Sequence, residues 1–332
     1  MKPVLLSSGD MLADRRADYG EMLLQSGDAA AAADLYRQAL DRVGQWAAGW
    51  FRLGEIEDKA GNLPAAAACW RRALSLDPDD PFGATLKLQL AGQAADMAVM
   101  PSAYVETLFD AYADEFDHAL VERLAYAAPD RLAESLVAVG RGGFAKALDL
   151  GCGTGLMGVR LRTMASRLEG MDISAEMLRK VSAKGIYDRL EQADLTMLHP
   201  WTGIAPDLVT AADVFMYLGD LERIFDWVAS ALAPGGLFGF TVEAAAGDGD
   251  VVLRPSMRFA HGEAYLRARL EACGLEPVSF ARHEIRKDRG EPVAGFVVVA
   301  EKAGPGAPDR PVWSARVHGE EETGPDRPVH PH

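Results

Sequence analysis

The stretch ALDLGCGTGLMG, Ala147 to Gly158, sets Gly151, Gly153, Gly155 and Gly158 directly after a short apolar run. Glycines there let a backbone lie against a ligand that side chains would hold away. Gly153, Gly155 and Gly158 satisfy G-x-G-x-x-G, the pattern of a loop that brings a helix N-terminus to the pyrophosphate of a dinucleotide. That match alone is weak, and a pyrophosphate-binding loop has no need of the acid, Asp149, that precedes these glycines. Two more acids follow at comparable stations: Asp172 in LEGMDIS, 21 positions beyond Gly151, and Asp194 in EQADLT. Each by itself would serve as a helix cap or a solvated strand end, but three in series at strand ends point to one ligand.

A second group of residues suits an acceptor. Asp213, Tyr217 and Glu243 belong to the ends of the fourth and fifth predicted strands, where open α/β sheets bind their substrates. The following stretch, RPSMRFAHGEAYLRARL, holds Arg258, His261 and Tyr265. His261, with an unperturbed pKa near ~6.5, suits a general base and suits equally the N-cap of a helix starting at Gly262 and Glu263. Tyr217 and Glu243 complete the candidate catalytic set. Arg258 and Arg286 have the fork geometry that takes a carboxylate, or they are solvated arginines; Asp213 and Tyr265 join them as acceptor-binding candidates. Cys152, inside the glycine loop, reads as a small space-filler.

The elements that must position these residues alternate between strand and helix from Pro101 onward. Strands are expected over Ala147–Leu150, Leu168–Asp172, Asp188–Gln192, Asp207–Ala211 and Leu237–Glu243. Helices between them imply a parallel sheet with right-handed crossovers. Pro277–Ile285 and Pro292–Ala300, joined by RKDRGE, form an antiparallel hairpin.

Five parallel strands closed by such a hairpin, with DLGCGTG after the first, resemble the class I S-adenosylmethionine-dependent methyltransferases, a Rossmann-like α/β fold. The resemblance implies a cofactor, S-adenosyl-L-methionine, and roles for matched residues. Gly151, Cys152, Gly153 and Gly155 pass under its methionine part, and Asp149 receives its ammonium directly or through water. Asp172 takes the ribose hydroxyls, and Asp194 holds the adenine amino group. Ile173, Met177, Leu195 and Ala211 are expected to complete that wall. Ahead of the first strand, YVETLFDAYADEFDHALVERLAY sets Phe109, Tyr112 and Phe116 on one helix face. In the family this segment is a lid, and Tyr104, Tyr112 and Phe116 are the candidates to face the sulfonium; a plain amphipathic helix packed on the sheet is the alternative.

The N-terminal part repeats itself. YGEMLLQSGDAAAAADLYRQAL, from Tyr19, aligns with LGEIEDKAGNLPAAAACWRRAL, from Leu53, at an offset of 34 positions that equates Gly20 with Gly54 and Tyr36 with Trp70. These lines resemble the tetratricopeptide repeat, an all-α module of paired helices, and FGATLKLQLAG from Phe82 reads as a capping helix. Repeats, lid, DLGCGTG and AADVFMYLGDLE in that order are similar to a bacterial group of predicted tetratricopeptide-repeat methyltransferases.

The expected organisation is a helical domain over 1–97, a catalytic domain over 98–302 and a disordered, proline-rich tail over 303–332, in which His318, His330 and His332 are solvated. Of the 332 residues, 49% are hydrophobic and 25% charged, as in ordinary globular chains. The net charge of −15 repels a phosphate backbone, which argues against nucleic acid, and no apolar stretch is long enough to span a membrane. MKPVLLSSGDMLADRR is too little for a signal peptide, and Cys69, Cys152 and Cys273 suggest neither a disulfide framework nor a zinc site, so a cytoplasmic protein without metal is expected. The leading function is methyl transfer to a small molecule, with a carboxylate-bearing one as the candidate. The alternatives are a protein methyltransferase whose repeats recruit a protein partner, and a repeat-based interaction protein with a non-catalytic cofactor fold. The apolar end of two repeats is expected to cover the catalytic domain or to join two subunits, with a homodimer favoured through the alanines at Ala29–Ala33. The acceptor atom, oxygen, nitrogen or carbon, is not encoded in any of these motifs.

Overall fold

The computed structural model describes residues 7–95, 98–113, 126–246, 250–288 and 290–304. The lid candidate Phe116 and the tail histidines lie outside them.

The glycines equated by the repeat do equivalent jobs. A Cβ on Gly20 would stand 2.9 Å from Tyr36 Cδ2, and one on Gly54 would strike the indole of Trp70, so each large ring fills the hollow its glycine leaves. Helices α1 (Met11–Gln25), α2 (Ala29–Leu40), α3 (Ala47–Lys59) and α4 (Leu63–Leu76) form the two pairs. Asp10 and Asp28 cap α1 and α2 by accepting backbone N–H bonds of 2.9 Å. Ala13, Ala17, Gly20 and Leu24, at helical spacing, are the buried face of α1. Ala32 and Ala33 are buried inside the repeat, so part of the alanine run expected to join two subunits is used within the chain.

The capping helix is α5 (Ala84–Leu90). Its Leu86 is wholly buried in a cluster with Met100, Met216, Tyr217 and Phe259, which belong to the second part of the chain. The open end of the repeats is therefore covered, at least here, by the α/β unit.

That unit begins with α6 (Ser102–Tyr112) and α7 (Ala128–Ala138). It continues through β1 (Phe144–Leu150), α8 (Leu156–Leu161), β2 (Ala165–Asp172), α9 (Ala175–Lys184), β3 (Arg189–Gln192) and β4 (Leu208–Ala211). After a single 3-10 turn (Phe215–Tyr217) come α10 (Glu222–Ala231), β5 (Leu237–Ala244), β6 (Val251–Leu253), β7 (Phe259–His261), α11 (Glu263–Ala272), β8 (Leu275–Asp288) and β9 (Glu291–Lys302). The strands form one nine-stranded sheet. The five expected strands run parallel in the order β3-β2-β1-β4-β5, and β9 pairs antiparallel with β5 and with β8. Phe215, Phe225, Phe238 and Phe240 pack on one another at 4.8–6.0 Å between ring centroids on one side of the sheet. Leu132 and Leu136 of α7 cover the other side with Ile285, Val297 and Val299. All eight residues of β5 are buried, as a central strand with both faces covered requires.

The hairpin β6–β7 was not expected. β7 pairs parallel with the last residues of β5, Glu243 with Ala260 and Ala244 with His261, and β6 lies outside it. This corrects the N-cap reading of His261: it is a strand residue, and Gly262 precedes α11 without any side-chain cap.

Candidate active site

A cavity of about 460 Å³ opens at the carboxyl ends of β1, β2 and β4, beneath α6. Its floor is the glycine turn. Gly151 has φ +62°, and a Cβ there would collide with Val214, so the turn and the loop after β4 close on each other only because the side chain is missing. Gly153 donates its N–H to Asp172 Oδ2 at 2.7 Å, while the N–H of Ser174 reaches Oδ1 at 2.9 Å. Asp172 is thereby fixed at the end of β2, facing the cavity, and burial pushes its carboxyl up to about 6. Asp194 lines the next station, its Oδ1 accepting from the Thr196 N–H at 2.8 Å and hydroxyl at 2.7 Å. Gly151, Cys152, Gly153, Ile173 and Leu195 share the same wall.

Helix α6 is the roof. Asp110 accepts a 2.5 Å bond from the Ser174 hydroxyl, tying α6 to the start of α9. Tyr104, Phe109 and Tyr112 then face the cavity from above, and Phe109 meets Tyr217 edge-on at 5.2 Å.

Asp149 lies behind this wall. It is 1% exposed, and its oxygens accept from the Tyr187 hydroxyl at 2.6 Å and the Thr210 hydroxyl at 2.7 Å. Burial lifts its carboxyl to about 6, against the lowering effect of those two bonds. A Cβ on Gly158 would overlap the Tyr187 phenol, and one on Gly170 would stand 2.9 Å from its ring. The last glycine of the pattern thus makes room for the tyrosine that holds Asp149. Nothing in the sequence joins Tyr187 to Asp149, and it was missed.

Four of the residues expected to bind the acceptor, Asp213, Tyr217, Arg258 and Arg286, are on the cavity wall with Lys287 and Asp288. Arg286 follows a register irregularity in β8 between Glu284 and Arg286, so that Ile285 and Arg286 are both buried although adjacent. Its guanidinium is 2% exposed, donating to Asp213 Oδ1 at 2.8 Å and, from its other terminal nitrogen, to Glu243. Neither expectation for Arg286 holds: it is not solvated, and it already has carboxylate partners. Glu243 also pairs with Arg254 Nη1 at 2.7 Å. Arg258 differs from both arginines. It stands 6.0 Å from the centroid of the Tyr217 ring, and no carboxylate among the described residues forms an ion pair with it.

Several expected site residues are elsewhere. His261 is wholly buried, with Nε2 at 2.9 Å from the Leu218 carbonyl and 3.1 Å from that of Gly219; two acceptors there mean that Nε2 carries the proton. Burial lowers its pKa to about 4, and it does not line the cavity, which removes it as a general base. Tyr265 bonds Leu221 and Asp220 in a separate cleft. Met177 and Ala211 are core residues, Ala212 taking the place expected of Ala211, while Gly155 caps α8 and Glu243 sits behind Arg286. Tyr126 and Met257, on the wall, were not anticipated.

Comparison with known proteins agrees with this geometry. Residues 148–240 match the methyltransferase domain family and residues 47–80 the tetratricopeptide repeat. A trans-aconitate 2-methyltransferase of Paracidovorax citrulli is 36% identical over 94 residues, 27% of this chain and 35% of that protein. A malonyl-[acyl-carrier protein] O-methyltransferase of Enterobacter lignolyticus is 30% identical over 102 residues, 31% of this chain and 40% of that protein. The chain therefore spans well under half the length of these curated relatives. A crystal structure of an S-adenosylmethionine-dependent methyltransferase from Clostridium acetobutylicum superposes with a TM-score of 0.44 at 19% identity, covering 59% of this chain and 98% of that one. The cavity suits that cofactor in its strand-end acids Asp172 and Asp194, its side-chain-free turn at Gly151 and its aromatic roof. Residues 148–240 thus carry a methyltransferase domain of the S-adenosylmethionine-dependent kind, preceded by a tetratricopeptide repeat at 47–80.

Proposed function

We propose that the protein methylates a small molecule bearing a carboxylate, and that Arg258 receives that group. The observation that carries this reading is a charge imbalance. Three guanidinium groups, Arg254, Arg258 and Arg286, gather around two carboxylates, Asp213 and Glu243. Arg254 and Arg286 form the ion pairs with both acids, so among the described residues of this cluster the guanidinium without an ion pair is that of Arg258, on the cavity wall. An incoming carboxylate supplies the missing partner in the geometry that guanidinium favours. The trans-aconitate and malonyl groups named for the two relatives are carboxylates as well.

Asp172, Asp194 and the turn at Gly151–Gly153 hold the cofactor, and α6 excludes water above it. Bound there, S-adenosylmethionine supplies an electrophilic methyl group whose transfer to a carboxylate oxygen forms an O–CH3 bond as the S–CH3 bond breaks, leaving a methyl ester and S-adenosylhomocysteine. A carboxylate arrives ionised at neutral pH and needs no base. This suits a site in which Asp213 is held by Arg286 and burial keeps Tyr126 protonated.

Peptide capture by the repeats is less well supported. Arg52 pairs with Glu21 and Glu55, and Lys87 with Glu55, across α1, α3 and α5, so these charges satisfy one another. A homodimer through the exposed Met11, Leu12, Tyr19 and Met22 of α1 takes the place of the one expected through Ala29–Ala33. The free thiols Cys69, Cys152 and Cys273 suit a cytoplasmic setting.

The test is label transfer from methyl-labelled cofactor to a panel of small carboxylic acids, trans-aconitate included, beside amines and phenols of matched size. Base-labile label in an acid is expected. Arg258→Met should raise the KM for that acid about 30-fold, on the order of 2 kcal/mol for one charge-assisted contact, with cofactor affinity unchanged. Label in amines, phenols or protein alone, or an unaltered KM, overturns the proposal.

A further inference from the structure

Arg258 ends the turn Arg254–Arg258 that joins β6 to β7, and this turn is held from two sides. On the sheet side, Arg254 donates to Glu243 at 2.7 Å and to the Ala244 carbonyl at 2.6 Å. The turn closes on itself through the Arg254 N–H to the Arg258 carbonyl at 2.9 Å and the Met257 N–H to the Arg254 carbonyl at 2.8 Å. Met257 has φ +57°, a left-handed conformation that a residue with a side chain keeps only when its surroundings determine it.

Part of those surroundings comes from the repeats. Gly83, with φ +76°, opens α5, and a Cβ there would stand 3.0 Å from both Met257 Cε and Tyr104 Cδ2. One turn on, the buried Leu86 lies in the cluster of Met216, Tyr217 and Phe259, against which Met257 packs. The start of α5 is itself fixed, because the buried carboxylate of Asp80 accepts from the Ala84 N–H at 2.6 Å and the Thr85 N–H at 2.9 Å. Tyr104, Tyr217, Met257 and Arg258 all wall the cavity, whereas no residue of α1–α5 does.

We propose that the repeat unit positions the acceptor half of the site: through Gly83 and Leu86, α5 holds the turn Arg254–Arg258, with the Tyr104 ring beside it, against the cavity and thereby sets acceptor binding far more than cofactor binding. Gly83 and Leu86 are positioning residues. Glu21, Arg52 and the other paired charges of the repeats then serve to keep α5 in place, by stiffening the scaffold that ends in it. The assignment rests on the reading of Arg258 as the acceptor's partner.

The experiment uses full-length Gly83→Ala and Leu86→Ala, with Leu86→Met as the conservative variant. Three quantities are followed: S-adenosylhomocysteine affinity by calorimetry, amide hydrogen exchange with that ligand bound, and KM and kcat for trans-aconitate or the acid the panel selects. The expected result is an affinity within twofold of wild type and exchange at least tenfold faster over 251–261 but unchanged over 147–158. KM should rise at least tenfold in the alanine variants while kcat falls less, and Leu86→Met should restore it. The exchange measurement needs no acceptor. Unchanged exchange over 251–261 overturns the proposal, as does faster exchange over 147–158 with weaker ligand binding, which marks general loosening. If wild type fails to bind S-adenosylhomocysteine, the reading of the cavity falls instead.

Discussion

Tyr187 donates its hydroxyl to Asp149 Oδ2 at 2.6 Å, through space that Gly158 and Gly170 leave open. The acid at the end of β1 is therefore held from the side away from the cavity, and burial raises it to about 6, as it does Asp172.

Cofactor affinity should depend on pH around 6, where the two raised carboxylates titrate. Asp172, on the cavity wall, and Asp149, behind it, take up protons as pH falls through about 6, so the negative charge at and beneath the wall is lost. S-adenosylhomocysteine affinity, measured by calorimetry, should be level above pH 7 and fall by about tenfold or more by pH 5. Tyr187→Phe removes a bond that lowers the Asp149 pKa, so its midpoint should move upward. An affinity level from pH 5 to 8 refutes the assignment of these acids.

Asp172→Ala deletes the carboxylate facing the cavity and releases the Gly153 and Ser174 N–H groups. Loss of the ribose contacts should cost on the order of 2–3 kcal/mol of cofactor affinity, roughly 30- to 150-fold. An unchanged dissociation constant by calorimetry would reject the role. NAD should not bind either form.

His261 should matter to stability and not to chemistry. His261→Ala leaves two carbonyls and a cavity behind, costing about 3 kcal/mol in denaturant unfolding with kcat nearly unchanged. The pH dependence follows from its depressed pKa, about 4 when folded against 6.5 as the reference. The folded state keeps the ring neutral, so its contribution is complete above pH 6.5 and is lost as pH falls toward 4. The advantage of wild type over His261→Ala should shrink by about 3 kcal/mol across that window. A parallel offset at all pH values, or a large drop in kcat, contradicts the structure.

A second copy on α1 predicts that Tyr19→Glu with Met22→Glu converts a dimer to a monomer that still binds cofactor, as followed by light scattering. Both side chains are more than half exposed, so the substitutions spare the fold. A monomeric wild type at every concentration ends that expectation.

The strands that carry the cofactor side were legible because their signals are local. An apolar run followed by an acid or a glycine marks the ends of β1, β2 and β4, and each expected end falls within a residue of the observed one. The repeat was legible because Gly20 with Tyr36 and Gly54 with Trp70 are spaced alike. The acceptor side escaped because its contacts join distant positions. β6 and β7 have three residues each, too few for a pattern. Arg286 reaches Asp213 across 73 positions, after an irregularity in β8 that alternation does not reveal. Tyr265 and Arg258 are seven residues apart in the chain, yet α11 carries Tyr265 to another cleft.

The fork at the end of β5, where β4 has stopped opposite Phe240 and β7 takes up the same edge at Glu243, separates the two tasks along the gene. Groups on the cofactor side come from positions 104–196, whereas Asp213, Arg258 and Arg286 come from 213–288. Inheritance can therefore alter one task while leaving the other intact. On the proposed reading, an insertion or exchange within 251–258 alters what meets the acceptor, while the wall formed by Gly151, Asp172 and Asp194 stays as it is.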